Sequence, residues 1–118
     1  PTKAAFFAWE GTWGKILTLD RLKKRGWQLP TRCFLCGCEE ENVNHILLHC
    51  IVVRVLWEIV LALFGVQWVF PETVKEVLFS WRGPFVGKKI WNSILLCIFW
   101  TVWKERNKLA FRGSSLAI

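Results

Sequence analysis

The residues able to do chemistry crowd into one segment, RCFLCGCEEENVNHILLHC, which spans Arg32 to Cys50. Cys33 and Cys36 stand two residues apart with Gly37 immediately after, and His45 and Cys50 complete the pattern Cys-x2-Cys-x8-His-x4-Cys. A Cys-x2-Cys-Gly turn lets two sulfurs and the neighbouring amides wrap one ion, with the glycine free to take the positive φ of a tight turn. Three thiolates and one imidazole make a closed tetrahedral set of the structural Zn²⁺ type. Zinc with three thiolates carries a net charge of −1, and Arg32 stands beside it in sequence to offset it.

Other chemistries fit less well. Nothing in the sequence marks secretion, so a disulfide framework is disfavoured. A thioredoxin-like Cys-x-x-Cys would follow a strand and open a helix, whereas this one follows Pro30-Thr31-Arg32 and meets Gly37 and three glutamates. A base-deaminase signature places His-x-Glu before its cysteines, and here the histidine follows them. A two-zinc module of the RING kind needs about eight ligands, at four per ion. Within the cluster the fourth ligand is open between two residues. His45 and His49, four apart, share a face of an ideal helix, while Cys50 lies about 140° round from His45. Cys50 is favoured for its sulfur, with His49 as the spare, and its use demands that the helix start late, tighten or break. Cys38 is too close to Cys36 for the knuckle and reads as a loop thiol; Cys97, in the apolar run LLCIF, reads as a small buried hydrophobe.

The elements that must position these ligands read as helices. Residues 3–14 space Phe6, Phe7, Trp9 and Trp13 for a short first helix. Thr18 is placed to cap TLDRLKKRG, with Asp20 in its first turn and Gly26 as its stop. Residues 43–64 form one long helix or two in succession, apolar nearly all round from Ile51 to Phe64 apart from Arg54 and Glu58. A further helix runs from Pro71-Glu72 to Phe79. The last covers 88–111, with Trp91, Ile94, Leu95, Ile98 and Val102 on one stripe. No segment alternates with the period of a strand. The expectation is a mostly α, small helical domain of four to six helices carrying a zinc-knuckle loop.

The chain has 118 residues, enough for the single domain, 1–118, that is expected. It starts at Pro1 and contains no Met, which reads as a fragment of a longer frame, and its first residues lack the order of a signal peptide. Hydrophobic residues make up 53%, with nine Trp and nine Phe, and mean hydropathy is +0.31, so disorder is excluded and exposed apolar surface is expected. The two longest apolar runs are interrupted by polar residues, which argues against a membrane span. Asp20 is the only aspartate, beside eight glutamates, so no aspartate pair exists to hold catalytic Mg²⁺. Phosphate-binding glycine loops and a Gly-x-Ser-x-Gly elbow are also missing, and the expectation is a protein that is not an enzyme. Cysteine usage points to a reducing, intracellular compartment, nucleus or cytoplasm.

Charge is divided. Residues 1–32 carry +5, residues 33–80 carry −4 and residues 81–118 carry +6, for a net +7. The basic clusters are Arg21, Lys23, Lys24 and Arg25, and Lys104, Arg106, Lys108 and Arg112. Cations beside aromatic residues suit phosphate chains and unpaired bases, so RNA or single-stranded DNA is the expected partner, with Trp27 and Trp103 as stacking rings. The competing reading is a set of solvated helix faces.

Taken in order, FFAW, ILTLDRLKKRG, CFLCGCEEENVNHILLHC, VLWEIV and WTVWKERNKLAFRG resemble the zinc-binding domain found downstream of the reverse transcriptase in plant non-LTR retrotransposons. The resemblance runs over nearly the whole chain. It implies Cys33, Cys36, His45 and Cys50 as ligands of a structural Zn²⁺. It further implies a nucleic-acid-associated role beside a reverse transcriptase domain of the same polypeptide. One departure is Asn42, where the family carries a small hydroxyl residue; another is the usual lead-in, cut off at Pro1.

Overall fold

A computed structural model describes residue 3 and residues 16–26, 28, 31–81 and 88–117, with side chains described as far as residue 110. It is mostly helical: α1 (Leu19–Lys24), a π-helical turn (His45–His49), α2 (Ile51–Leu63), α3 (Val74–Ser80) and α4 (Lys88–Ala117). Among the described residues there is no strand, only an isolated bridge between Arg32 and Glu40 that closes the loop. Four α-helices and the π turn agree with the expected architecture. The helix expected over 3–14 lies outside the described residues apart from Lys3.

Each helix ends for a local reason. Gly26, at φ +93°, stops α1, and the Arg25 and Gly26 amides donate to Arg21 and Lys23 carbonyls. Thr18 does not cap it, contrary to expectation. Its hydroxyl is spent on the Asp20 carboxylate, and the first-turn amides go to Glu41 instead: Leu19 N donates to Oε1 at 3.1 Å and Asp20 N to the backbone oxygen at 3.2 Å. At α3 the cap is Thr73, whose hydroxyl accepts from Glu76 N at 3.1 Å and donates to the Glu76 carboxylate at 3.0 Å. The hydroxyl is thus an N-cap that the Glu76 carboxylate holds in place, and it moves the helix start from Pro71-Glu72 to Val74.

The core forms where α2 and α4 bury one face each. Val53, Trp57 and Leu61 recur every fourth residue on α2; Trp91, Leu95, Ile98, Phe99 and Val102 line α4. Trp57 is fully buried, donates its indole N–H to the Leu47 carbonyl at 2.9 Å, and meets Phe99 and Trp81 edge-on at 5.7 and 5.9 Å. Trp81 stacks on Trp91 at 4.5 Å and 9°. That aromatic core packs directly against the π turn, whose Ile46, Leu47 and Leu48 are buried, and so fixes the floor of the cysteine cluster. The expected stripe on α4 is present, with Ile94 half-buried at its margin. Cys97 departs from expectation: it is exposed, in an apolar groove with Leu63, Ile90 and Ile94. Among the described residues no helix is long and apolar enough to cross a membrane.

Candidate metal centre

Cys33, Cys36, His45 and Cys50 converge so that their donor atoms all lie within 4.8 Å of one another. Cys33 Sγ is 3.9 Å from Cys50 Sγ, and Cys36 Sγ is 3.3 Å from His45 Nε2. A tetrahedral zinc with the usual bond lengths would separate two sulfurs by about 3.8 Å and a sulfur from a nitrogen by about 3.6 Å. These two separations therefore match the edges of a zinc tetrahedron to within a few tenths of an ångström. Cys33, His45 and Cys50 are buried and Cys36 is half-buried.

Local folding explains how His45 and Cys50, with four residues between them, both reach one point. Cys50 N donates to the His45 carbonyl at 2.7 Å, an i→i+5 bond that widens this single turn. Cys50 itself leaves helical geometry, at φ −55° and ψ 133°, before α2 begins at Ile51. The helix thus both loosens and breaks between the two ligands. His49, the spare, points elsewhere: it is exposed, and its Nε2 lies 2.9 Å from the Glu72 carbonyl. Asn42 opens the turn, its side-chain oxygen accepting from His45 N at 2.8 Å. Asparagine caps as well as a hydroxyl residue does, so this departure from the family pattern leaves the cap in place.

The other pair of ligands is held by a knuckle. Gly37, at φ +67°, turns the chain while its amide donates to the Cys33 carbonyl at 2.9 Å. Leu35 N points at Cys33 Sγ at 3.4 Å and Cys38 N at Cys36 Sγ at 3.5 Å, which places amide dipoles against sulfurs that carry negative charge as ligands. Cys38 supplies that amide, while its thiol, exposed, turns to the Cys36 carbonyl. Arg32 donates to the Cys38 carbonyl at 2.7 Å. Glu39 Oε2 stands 3.8 Å from His45 Nδ1, on the side of the ring away from the cluster.

In the free protein the three thiols are unequal. Burial pushes Cys33 up to about 12 and Cys50 upward as well. Cys36 is also opposed by desolvation, but the Cys38 amide, the His45 ring and the Glu39 amide outweigh it and bring it down to about 6. Near neutral pH Cys36 is therefore the thiolate of the set, and Cys33 and Cys50 would give up protons on binding a metal.

Glu41, unremarked within the acidic run of the sequence, is the other organiser. It is fully buried, and its carboxylate accepts from Leu19 N through Oε1 and from Phe34 N through Oε2 at 3.2 Å. It also pairs with Arg106 of α4, through Nη2 and through Nε at 3.1 Å. Arg106 lies between the rings of Phe34 and Trp103, at 4.8 and 4.6 Å from their centroids. This corrects its grouping with the basic residues: Arg106 is 5% exposed and fully engaged, so no phosphate can reach it. Lys104 stands over Trp100, and Lys108 pairs with Glu105. They lie on the face of α4 opposite Arg106, while the side chain of Arg112 lies outside the described residues. On α1, Lys23, Lys24 and Arg25 are exposed and Arg21 half-exposed, and none pairs with an acid among the described residues. The two basic clusters therefore do not form one continuous face.

A mostly helical chain with a closed Cys3His donor set defines a small zinc-binding module. Comparison with protein families agrees: residues 1–57 match the family described as zinc-binding in reverse transcriptase, which confirms over that segment the resemblance carried by the motifs. All four ligands fall inside the match, which ends within α2. No curated protein and no solved structure matches the chain.

Proposed function

We propose that this chain is a non-catalytic accessory module of a retrotransposon-type reverse transcriptase of the non-LTR kind. In this reading a structural Zn²⁺ on Cys33, Cys36, His45 and Cys50 holds the α1 turn in place for contact with RNA or single-stranded DNA. The observation that carries it is the donor set itself. Four protein ligands fill a tetrahedron and three of them are buried, so the ion organises the chain and offers no free position to a substrate. When bound, zinc supplies a cross-link between the knuckle and the π turn. The nucleic-acid contact is supported by the exposed cations of α1, which sit one carboxylate away from the knuckle through Glu41. Such a module belongs in a reducing compartment, nucleus or cytoplasm.

The test is a titration of labelled single strands at several salt concentrations. Four phosphate contacts on α1 give a log–log salt slope of about −3, and Lys23/Lys24/Arg25→Ala removes about 2 of it. Absence of binding at low salt, or an unchanged slope in the variant, refutes the nucleic-acid reading.

A second reading is favoured by one observation. Ile51, Val52, Val55, Ile59 and Leu63 leave one face of α2 apolar and exposed, which suits a protein partner. The partner that the family description suggests is a reverse transcriptase domain of the same polypeptide. Val55→Glu with Ile59→Glu abolishes capture by that domain, with zinc retained, if this face is the contact; undiminished capture rejects it.

A further inference from the structure

Three observations converge on Phe34, the residue at the tip of the knuckle between ligands Cys33 and Cys36. The first is exposure: the residue is 38% exposed, although Cys33 before it is buried. The second is rigidity. Cys33 is a ligand, the Phe34 amide is fixed on Glu41 Oε2, and one side of the ring rests on the Arg106 guanidinium. Behind that guanidinium lies Trp103, so ring, cation and ring form one buttressed stack. The third is neighbourhood. The Glu41 carboxylate that holds Phe34 N on one oxygen holds Leu19 N, the first amide of α1, on the other. The start of α1 is therefore tied to the knuckle, the exposed Lys23, Lys24 and Arg25 follow about one turn further along, and Arg32 is exposed two residues before the ring.

We infer that Phe34 is a stacking platform for an unpaired nucleobase, with the adjoining α1 cations on the phosphates that flank that base. This rests on the proposed nucleic-acid role and names the part of the ligand that the site reads. Every base offers a π-face, so stacking of this kind binds single strands without sequence preference and rejects duplex, whose bases are already stacked. A ring held by ligand, hydrogen bond and guanidinium is already ordered before binding, so little rotamer freedom is lost when a base arrives. The same geometry sorts the rings named from sequence. Trp103 is half-buried behind Arg106 and serves as the back of the stack, while Trp27 lies outside the described residues.

The experiment compares wild type, Phe34→Ala and Phe34→Trp on a fluorescein-labelled oligothymidine of about ten nucleotides, and on the same strand with abasic sites. Zinc content and thermal melting are measured on each variant. Phe34→Ala is expected to weaken binding to the intact strand between about fivefold and a hundredfold, with an unchanged salt slope. Phe34→Trp is expected to bind at least as tightly as wild type. Removing the bases should weaken wild type while leaving Phe34→Ala at its own level. If Phe34→Ala loses zinc or stability, the abasic comparison on wild type and Phe34→Trp decides alone. Wild-type binding with the expected salt slope, but equal on intact and abasic strands or unchanged in Phe34→Ala, overturns the stacking site and leaves the electrostatic role standing. No binding by wild type at low salt overturns both.

Discussion

Replacing Arg106 by alanine is the most informative single perturbation of this fold. The guanidinium is one member of a buried pair with Glu41, a carboxylate with no exposed surface. Without it, Glu41 retains two amide donors, from Leu19 and Phe34, but no countercharge. Removing one partner of a buried ion pair costs about 3–5 kcal/mol, because the remaining charge stays desolvated and unpaired. Domains of this size are stable by about 5–15 kcal/mol, so the variant loses a large fraction of the total. The stacked contacts with Phe34 and Trp103 are lost in the same step, which places the expectation toward the upper end of that range.

The assay is urea unfolding of the zinc-loaded protein, followed by far-UV circular dichroism. Arg106→Met, Glu41→Leu and the double variant Glu41→Leu/Arg106→Met form a closed cycle beside Arg106→Ala. Each single change is expected to cost at least 3 kcal/mol. The double variant should recover much of it, since an apolar pair of similar volume carries no stranded charge. A cost below about 1 kcal/mol for Arg106→Ala, the level of an exposed pair, would refute the buried-pair argument.

Cys36→Ser should abolish stoichiometric zinc in the purified protein, while Cys38→Ser, Cys97→Ser and His49→Ala should each retain one ion by metal analysis. Between pH 6 and 8, zinc affinity should fall about a hundredfold per unit of acidification by competition titration. With Cys36 already a thiolate above about 6, and burial holding Cys33 and Cys50 protonated, two protons must leave as the metal enters. A slope of one proton would show that only one of the buried thiols is protonated. Thr73→Ala should lower stability by about 1 kcal/mol through loss of the α3 cap, read by urea unfolding, and Thr73→Ser should restore it.

What the sequence made legible follows from locality. The ligand spacing, the helical periods and the Gly26 stop are written within a few residues, and the structure repeats them. Cys50 is favoured over His49 on the affinity of sulfur for zinc alone, against an ideal helix, which sets the two histidines four apart on one face. What the sequence did not show is the i→i+5 turn, supported from below by the buried Ile46, Leu47 and Leu48, that brings Cys50 to the cluster. The Glu41–Arg106 pair was invisible for another reason. Its members stand 65 residues apart, and each sat in a run of like charges that suggested solvent. The cap of α1 failed as an expectation through the same residue, since the Glu41 backbone oxygen, from a distant loop, took the Asp20 amide that Thr18 was positioned to serve. Phe34 was not legible either: Leu35, between the same two cysteines, is half-buried against the core, so position in the knuckle does not tell which apolar residue turns outward.

The same contacts determine what happens when the metal is removed. α1 has six residues, far below the roughly 12–15 at which an isolated helix becomes even marginal in water. It therefore exists because Leu19 is buried and because Glu41 holds its first amide, and Glu41 is positioned in turn by a loop whose ends are zinc ligands. Metal binding of the structural kind is worth on the order of 10 kcal/mol, so a chelator withdraws more than a six-residue helix can supply. Chelation is expected to abolish hydrogen-exchange protection at the Leu22, Arg25 and Gly26 amides of α1 together with that at Cys33, Gly37 and Cys50, all of which are hydrogen-bonded in the intact fold. Binding to single strands should be lost in parallel, although no cation of α1 touches the metal. Protection of the α1 amides that survives chelation, while the knuckle amides exchange freely, would break the link through Glu41 and leave α1 an independently stable turn.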